Sequence, residues 1–538
     1  MLQFVRRSRG GRAPDWGVGG LALLLALASS VPPVLGWWRA RGTGLVYSGV
    51  PLLNGTDFGW YLHYLAVAGR GSLTFANPFL SDAGAPVFNI AWLTIGLLGR
   101  MLGTSPVMTF HLARVLLIAL TAMAAIYAAR LVLRDRTEQR VAVALMLFGS
   151  GLGGWVAMRW GLMAPLSPDV DMAEFTLMGS ALTSPHLLAS WMCALIVIPT
   201  ALRGMGSGSW RDAVVVAVGS AIWFQFHPYY APMVWAVITT AVILHGARLG
   251  WRVVPWRPIA VMIVGGVPSV LYHVPLVIGS NREWMLDANT LPARQPVLLA
   301  VALFGFLVAA PRGYRLLAAR SGGHSEGLVA PWLLVAWATT QSALTFLPLG
   351  FERRLLQALI VPLALLATPA VVGWWRASTS SPWQQRARWC VAVGMFGSGT
   401  ALLTGWSIRD VWTPRPSSTF LPADFATILS WSRTHLHPDD LVLARARPAH
   451  FLAGWGGTKV YVAEHWTQSR TERVRSAEVE ALYREPEAKA VLAFLRAHDV
   501  EVVFMGPTER ALKGAVEALP NLELLVRSGE YALWRVIR

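Results

Sequence analysis

The side chains that could do chemistry in this chain are few, and they fall in short segments between long apolar runs. Asp57 stands in NGTDFGWYLHYL, residues 54 to 65, soon after the first such run. A carboxylate there can take the proton of an attacking hydroxyl. Asp169, Asp171 and Glu174 fill SPDVDMAEF. His186 opens an apolar run in TSPHLL, and His227 closes another in FQFHPYY. Imidazoles at such places can bind or transfer protons near neutral pH. Arg282, Glu283 and Asp287 share one segment, and Glu352, Arg353 and Arg354 share another, LPLGFERRLLQ. A guanidinium stays charged and grips phosphate oxygens with two parallel donors. Simpler roles exist for each. Asp57 would cap a helix starting at Phe58. Trp60, Tyr61 and Tyr64 suit an interfacial aromatic belt. The acids of the second segment could be a solvated face. The histidines sit beside prolines at helix ends, where local satisfaction is common. The arginines could pair with Glu352 or with lipid headgroups.

The elements that must position these groups are set by composition. Of 538 residues, 54% are hydrophobic and 14% charged, against about 25% charged in a soluble domain. Apolar runs of roughly 20 residues recur along most of the chain, the length that crosses a bilayer as a helix. This is a polytopic membrane protein, and the lipid bilayer is its first partner. The formal charge of +17 comes almost wholly from arginine, because only Lys459, Lys489 and Lys513 occur. The arginines cluster in short loops, as the positive-inside rule requires. No separate basic patch points to nucleic acid. Cys193 and Cys390 lie in apolar runs without metal or redox spacing. No phosphate-binding loop, HExxH or dinucleotide fingerprint is present. GSGLGG, 149 to 154, lies within an apolar run and is expected to serve close helix packing. His63, His111 and His273 have no companion pattern and read as packing. The NGT triplet at 54 to 56 would matter only in a eukaryotic host.

Arginines orient the spans. Arg6, Arg7, Arg9 and Arg12 precede the first run, about 17 to 38, and place the N-terminus in the cytoplasm. That run is expected as an uncleaved first helix and not a signal peptide. The outer loop 39 to 85 follows. The run 87 to 103 is short, and a re-entrant or interfacial placement keeps the charged loop RDRTEQR, 134 to 140, inside. Ten further spans are expected near 107–132, 141–162, 184–203, 212–227, 229–249, 258–279, 296–310, 328–348, 355–375 and 387–408, making about eleven. Residues 1 to 411 thus form the membrane domain. No cytoplasmic domain is expected to hold a nucleotide. An odd count puts residues 412 to 538 outside as a small α/β domain. Its strands are expected at 440–444, 459–463, 500–506, 522–526 and 531–537, its helices at 422–434, 486–497 and 508–518, the last capped by Thr508. With this topology the acids, histidines and outward arginines collect on one membrane face.

That layout resembles the GT-C membrane glycosyltransferases, bacterial polyprenyl-phosphate-sugar-dependent type. Residues 45 to 110 look like their first outer loop: an acid soon after the first span, then DFGWYLHYLAVAGRG, then Asn77-Pro78. FERRLLQALIVPLALLA is similar to the segment used near the lipid phosphate. SWSRTHLHPDDLVLARARP, YVAEHWTQSRTERV and VVFMGPTER resemble the external domain of bacterial members. The resemblance implies transfer of a sugar from a polyprenyl-phosphate donor to a glycan, lipid or protein acceptor, on the outer face of the cytoplasmic (inner) membrane. It implies Asp57 as the first-loop acid, acting as base or metal ligand, with Asp169 or Asp171 as the second-loop acid. Arg353 or Arg354 would hold the departing phosphate, with His186, His227, Glu283, Glu352 and His465 as further substrate-binding candidates. The first loop departs from the pattern. It has Asp57 alone near the helix, Asp82 further on, and no paired acids, and DVD at 169 to 171 is a DxD by letters only. Whether a divalent metal takes part therefore stays open, and no other cofactor is implied.

Two other classes compete. A transporter or flippase of a lipid-linked intermediate would bury its charges near mid-membrane, whereas here they gather at one surface. A non-catalytic scaffold of envelope assembly would use the tail as a binding module. The enzyme reading requires Asp57, a second-loop acid and Arg353 or Arg354 to line one cavity.

Overall fold

The computed structural model describes residues 16–81, 86–160, 167–278, 295–321, 328–377, 381–464 and 470–537. Glu283, Arg282, Asp287, Asp82 and His465 lie outside the described residues. Among those described, eight helices are long and apolar enough to cross a bilayer, nine if the bent pair Pro382–Phe396 and Ser398–Trp412 is one span. The protein is an integral membrane protein, mainly α-helical.

The count of eleven is not reached. Two expected spans, Trp210–Phe226 and Pro331–Leu344, have 17 and 14 residues. The segment around residue 95 is a helix of 12 residues, Ile90–Met101. It rises about 18 Å at 1.5 Å per residue, well short of a ~30 Å hydrocarbon core. A short placement is what the loop charges required.

GSGLGG does not continue a helix. Arg136–Phe148 stops before it, and a new helix opens at Gly153. The glycines expose backbone N–H groups that a passing carboxylate takes up. The run also serves close packing, since a Cβ on Gly151 would fall 2.3 Å from the Ala302 carbonyl and one on Gly154 2.2 Å from the Ser398 carbonyl. A Cβ on Gly313 would fall 1.7 Å from the Leu366 carbonyl, so the helices Gln295–Ser321 and Ile360–Arg376 touch backbone to backbone.

The tail holds a five-stranded sheet. Its strands are β3 (Leu441–Leu443), β4 (Lys459–Val460), β5 (Val502–Met505), β6 (Leu522–Ser528) and β7 (Tyr531–Val536), in the order β4-β3-β5-β7-β6. β3 pairs parallel with β4 and β5, while β7 is antiparallel to β5 and β6. All five expected strands are present. The expected helix 508–518 is broken into Pro507–Arg510 and a 3-10 turn, Ala515–Ala518. Gly506, not Thr508, precedes its first turn. Two helices, Ala446–Gly454 and Arg470–Leu482, were not legible in the sequence.

The tail is docked on the first loop at three places. β1 (Leu45–Tyr47) pairs antiparallel with β2 (Phe420–Pro422). Phe58 and Leu62 of the Gly55–Gly69 helix share one buried core with Phe425, Phe451 and Leu452. His63 Nδ1 lies 3.0 Å from the Ala453 carbonyl, so this histidine also joins two segments. Gly454 makes the approach possible, because a Cβ there would lie 2.6 Å from Gly59 Cα. Gly454→Val should therefore cost about 1–3 kcal/mol, the range for overpacking. Thermal unfolding in detergent and protease release of the tail measure this, and unchanged values would show that the contact is slack.

Candidate functional site

Asp57 sits in the first turn of Gly55–Gly69, and Asn54 precedes that turn in the left-handed region, at φ 54°. The expectation that Asp57 caps a helix starting at Phe58 is thus corrected: the helix begins earlier. A carboxylate in a first turn is favoured by the helix dipole. One turn on, Tyr61 donates to Asp57 Oδ2 at 3.4 Å, as i,i+4 spacing allows. Burial first, then the charges of Asp57 and Glu174, against the opposing pull of Arg354, hold the Tyr61 hydroxyl well above the usual phenol range. It stays protonated and can donate.

Tyr61 does not belong to a lipid-facing belt. Its ring stacks on Trp92 at 4.7 Å and leans on His186 at 4.7 Å. Trp60 and Tyr64 likewise pack on Phe79 and Phe75. Trp92 comes from the short helix Ile90–Met101, whose first turn is capped by the Asn89 side chain. His186, at the start of Pro185–Ser207, meets His227 edge-on at 5.0 Å. His227 closes Trp210–Phe226 and packs against Tyr230 at 5.5 Å. Its Nδ1 is buried without a hydrogen-bond partner. The charge of Arg354 acts on Tyr61, His186, His227 and Tyr230 alike.

The arginine turn, Glu352–Leu356, is pinned from behind. Gln341 donates to the carbonyls of Leu355 and Gln357, both at 2.7 Å. The Gln357 side chain bonds Ser190 and the Leu187 carbonyl. Ala358 then takes φ 65°, a conformation that costs an L-residue roughly 1–2 kcal/mol and is tolerated where surroundings over-determine it. Glu174 completes the unit. Its Oε1 accepts from Arg353 Nε at 3.1 Å and from Arg354 Nη1 at 3.3 Å. The Glu174 side chain is fully buried, while those of Arg353 and Arg354 are 24% and 19% exposed. The carboxylate is thus the anchor, and the two arginine side chains are the part of the unit that keeps some exposure. Burial pushes the Glu174 carboxyl up, but the two guanidiniums override this and hold it below the usual range. Its Oε2 is buried without a hydrogen-bond partner among the described residues.

The structure therefore gathers Asp57, His186, His227, Arg353 and Arg354. The other second-loop acids diverge. Asp169 is fully buried and accepts from Gly151 N (2.9 Å), Gly153 N (3.2 Å) and Ser167 Oγ (2.5 Å). Its carboxylate is spent on holding the broken helix. Asp171 points to a groove of ≈ 920 Å³ with Leu52, Trp406, Arg409, Asp410 and Arg415. The Arg353 and Glu174 charges reach Asp171, so the groove adjoins the site. Glu352 bonds the Gly350 N–H at 3.0 Å, within its own loop, and the arginines take Glu174 instead. Sequence reasoning noted Glu174 only among the second-segment acids, read Tyr61 as a belt residue and did not single out Trp92. The i,i+4 pairing of Asp57 with Tyr61 was the one available signal. Among the described residues, no three His, Cys, Asp or Glu side chains group as metal ligands.

No family model and no curated protein matches the chain. Solved structures do. The arabinofuranosyltransferase AftD from Mycobacteria superposes with a TM-score of 0.50 at 17% identity, over 96% of this chain and 40% of that one. ArnT from Cupriavidus metallidurans, bound to undecaprenyl phosphate, gives 0.49 at 14%, over 95% and 97%. The oligosaccharyltransferase of Archaeoglobus fulgidus gives 0.48 at 12%, over 92% and 69%. Likeness at such identity is likeness of fold: the chain shares the fold of the mycobacterial arabinofuranosyltransferase over nearly its whole length.

Two substitutions separate support from anchoring. Asp169→Ala should destabilise by about 2–4 kcal/mol, because it strands buried donors. Glu174→Gln should cost about 3–5 kcal/mol by unpairing the arginines. The depressed Glu174 value stabilises the fold above the ordinary Glu range near ~4.3, and that contribution is lost as pH falls through the lower folded value. Melting curves in detergent should therefore show the two proteins converging at acid pH. A constant gap would remove Glu174 as a charged anchor.

Proposed function

We propose that this protein is a GT-C-type glycosyltransferase that moves a sugar from a polyprenyl-phosphate donor to an acceptor at the outer membrane face. The observation that carries the reading is the run of contacts from Asp57 through Tyr61 and His186 to His227, along which the charge of Arg354, paired with Arg353 on Glu174, acts. These segments are far apart in sequence, and neither helix packing nor loop solvation needs them together. The fold shared with a membrane arabinofuranosyltransferase supports the same reading. The N-terminus is assigned to the cytoplasm and residues 412 to 538 to the outside of the cytoplasmic membrane.

In this scheme the acceptor hydroxyl oxygen attacks the anomeric carbon of the donor. The new C–O bond forms as the bond to the phosphate oxygen breaks, and that electron pair leaves with the lipid phosphate. Asp57 takes the hydroxyl proton, held in place by Tyr61. Arg353 and Arg354 receive the charge that develops on the phosphate. Glu174 between them cancels one of the two charges and fixes both forks, leaving a single net positive charge toward the leaving group. His186 and His227 line the wall between base and phosphate site. Because the described residues do not make a metal-ligand cluster, no step is routed through a metal.

Transport of a lipid-linked intermediate is not favoured. It would need charges distributed along a pathway, and the charged cluster here sits where the Gly55–Gly69 helix and the loop helices converge. The acceptor could be a glycan, a lipid or a protein.

The test is transfer by the purified protein in vesicles. Asp57→Asn should lower the rate by about 10²–10⁴-fold, the range for a lost general base. Arg354→Gln should lower it by about 10²–10³-fold, the range for a lost charge-stabilising donor. A single displacement also requires the product to have the opposite anomeric configuration to the donor. Wild-type transfer by a folded Asp57→Asn protein would remove the central residue and move the scaffold or transporter reading ahead.

A further inference from the structure

A second concave site lies at the other end of the Gly55–Gly69 helix. Arg70 follows that helix by one residue. It stands 13 residues beyond Asp57, or about 20 Å along a helix at 1.5 Å per residue. The groove there measures ≈ 440 Å³ and is lined by Arg70, Arg100, Arg433, Thr104, Ser105 and Thr109, with no carboxylate.

The three arginines arrive independently, from the first loop, the short helix Ile90–Met101 and the tail helix Ala423–His435. Arg70 donates to the Arg433 carbonyl at 2.8 Å, so the first and third are locked side by side. Burial and the neighbouring Arg433 charge both lower the Arg70 value. Arg70 and Arg100 are exposed and Arg433 is half-buried, and like charges held this close repel one another unless an anion joins them. The C-termini of three helices offset part of the charge, but the N-terminus of the 25-residue helix Pro106–Arg130 opens into the same groove and adds to it.

The rim supplies the second half of the argument. Met101 is 83% exposed, Leu102 57% and Met108 53%. From Met108 the exposed apolar side chains continue along one face of Pro106–Arg130 as Leu112, Val115, Leu116 and Met123. This spacing makes a lipid-facing stripe on a helix apolar enough to cross the bilayer. The arginines thus crown a greasy stripe, where a phospholipid carries its phosphate above its acyl chains.

We infer that this groove binds the phosphate of an anionic phospholipid, with the acyl chains lying along the exposed face of Pro106–Arg130. Bidentate donors suit the phosphate, and the hydroxyls of Thr104 and Ser105 suit its remaining oxygens or the headgroup. The site is separate from the Asp57 centre. By joining first loop, short helix and tail it would make tail docking depend on the lipid.

The full-length protein should be reconstituted in vesicles of equal phosphatidylglycerol and phosphatidylcholine, then extracted in mild detergent and its bound lipid counted by native mass spectrometry. The wild type should retain phosphatidylglycerol preferentially. The R70Q/R100Q/R433Q variant should lose that preference by about tenfold or more, since each basic residue near anionic lipid contributes about 1 kcal/mol. R100Q alone spares the Arg70–Arg433 contact and should lower the preference severalfold, which decides the matter if the triple variant does not fold. Inorganic phosphate at millimolar concentration should not displace the lipid, whereas displacement would assign the groove to soluble phosphate and overturn the lipid source. Equal retention of both lipids by the wild type, or no change in R100Q, would overturn the site.

Discussion

Everything near the candidate centre depends on one buried carboxylate. Glu174 is out of water, between two guanidiniums that are only partly so. A charge in that position is tolerable only when paired and hydrogen-bonded. The pairing forces the second loop and the Glu352–Leu356 turn together across 179 residues of chain. It also decides what remains for a ligand, namely the guanidinium surfaces that Glu174 does not cover. The Gln341 and Gln357 hydrogen bonds and the left-handed Ala358 are the backing that lets this turn hold its shape.

The same logic explains why the tail cannot be a loosely tethered accessory. Its helix Ala446–Gly454 meets the Gly55–Gly69 helix glycine to glycine, and Phe58 and Leu62 share one core with Phe425, Phe451 and Leu452 of the tail and with Trp92 and Phe110. The core around the helix that carries Asp57 is therefore built from two distant pieces of chain. Asp57 projects from the end of a helix whose other faces are buried, which restricts how far the carboxylate can swing. In a membrane protein this matters doubly, since helices are ordered by close packing and polar contacts and not by the hydrophobic effect alone.

Most of the polar pattern was visible as residues and invisible as roles. Asp57, Arg353 and Arg354 stand out because charges are scarce. Asp169 and Glu174 stand out equally, five residues apart in SPDVDMAEF, yet one staples a broken helix and the other anchors two arginines. Periodicity cannot separate them, because the segment runs through a short helix and a turn with no face to count. Tyr61 looked like a membrane anchor from composition, and only its neighbours Trp92 and His186 turn it inward. The glycine run 149 to 154 was ambiguous for a similar reason. Glycine serves both close packing and an exposed amide ladder, and here the run does both, against the Ala302 and Ser398 carbonyls and toward the Asp169 carboxylate.

By itself the sequence determined what depends on local and one-dimensional physics. Apolar runs longer than a bilayer is thick make spans, alternation and turn residues make the five tail strands, and arginine placement makes a plausible sidedness. It also showed which side chains were rare enough to carry chemistry. The tertiary structure decided which of these meet. Whether a twelve-residue apolar segment crosses or only dips, whether Arg354 pairs with its neighbour Glu352 or with Glu174, and whether three arginines from separate segments share a groove are questions of long-range packing. Each is settled by desolvation and shape over contacts between residues tens to hundreds apart, which no local pattern encodes.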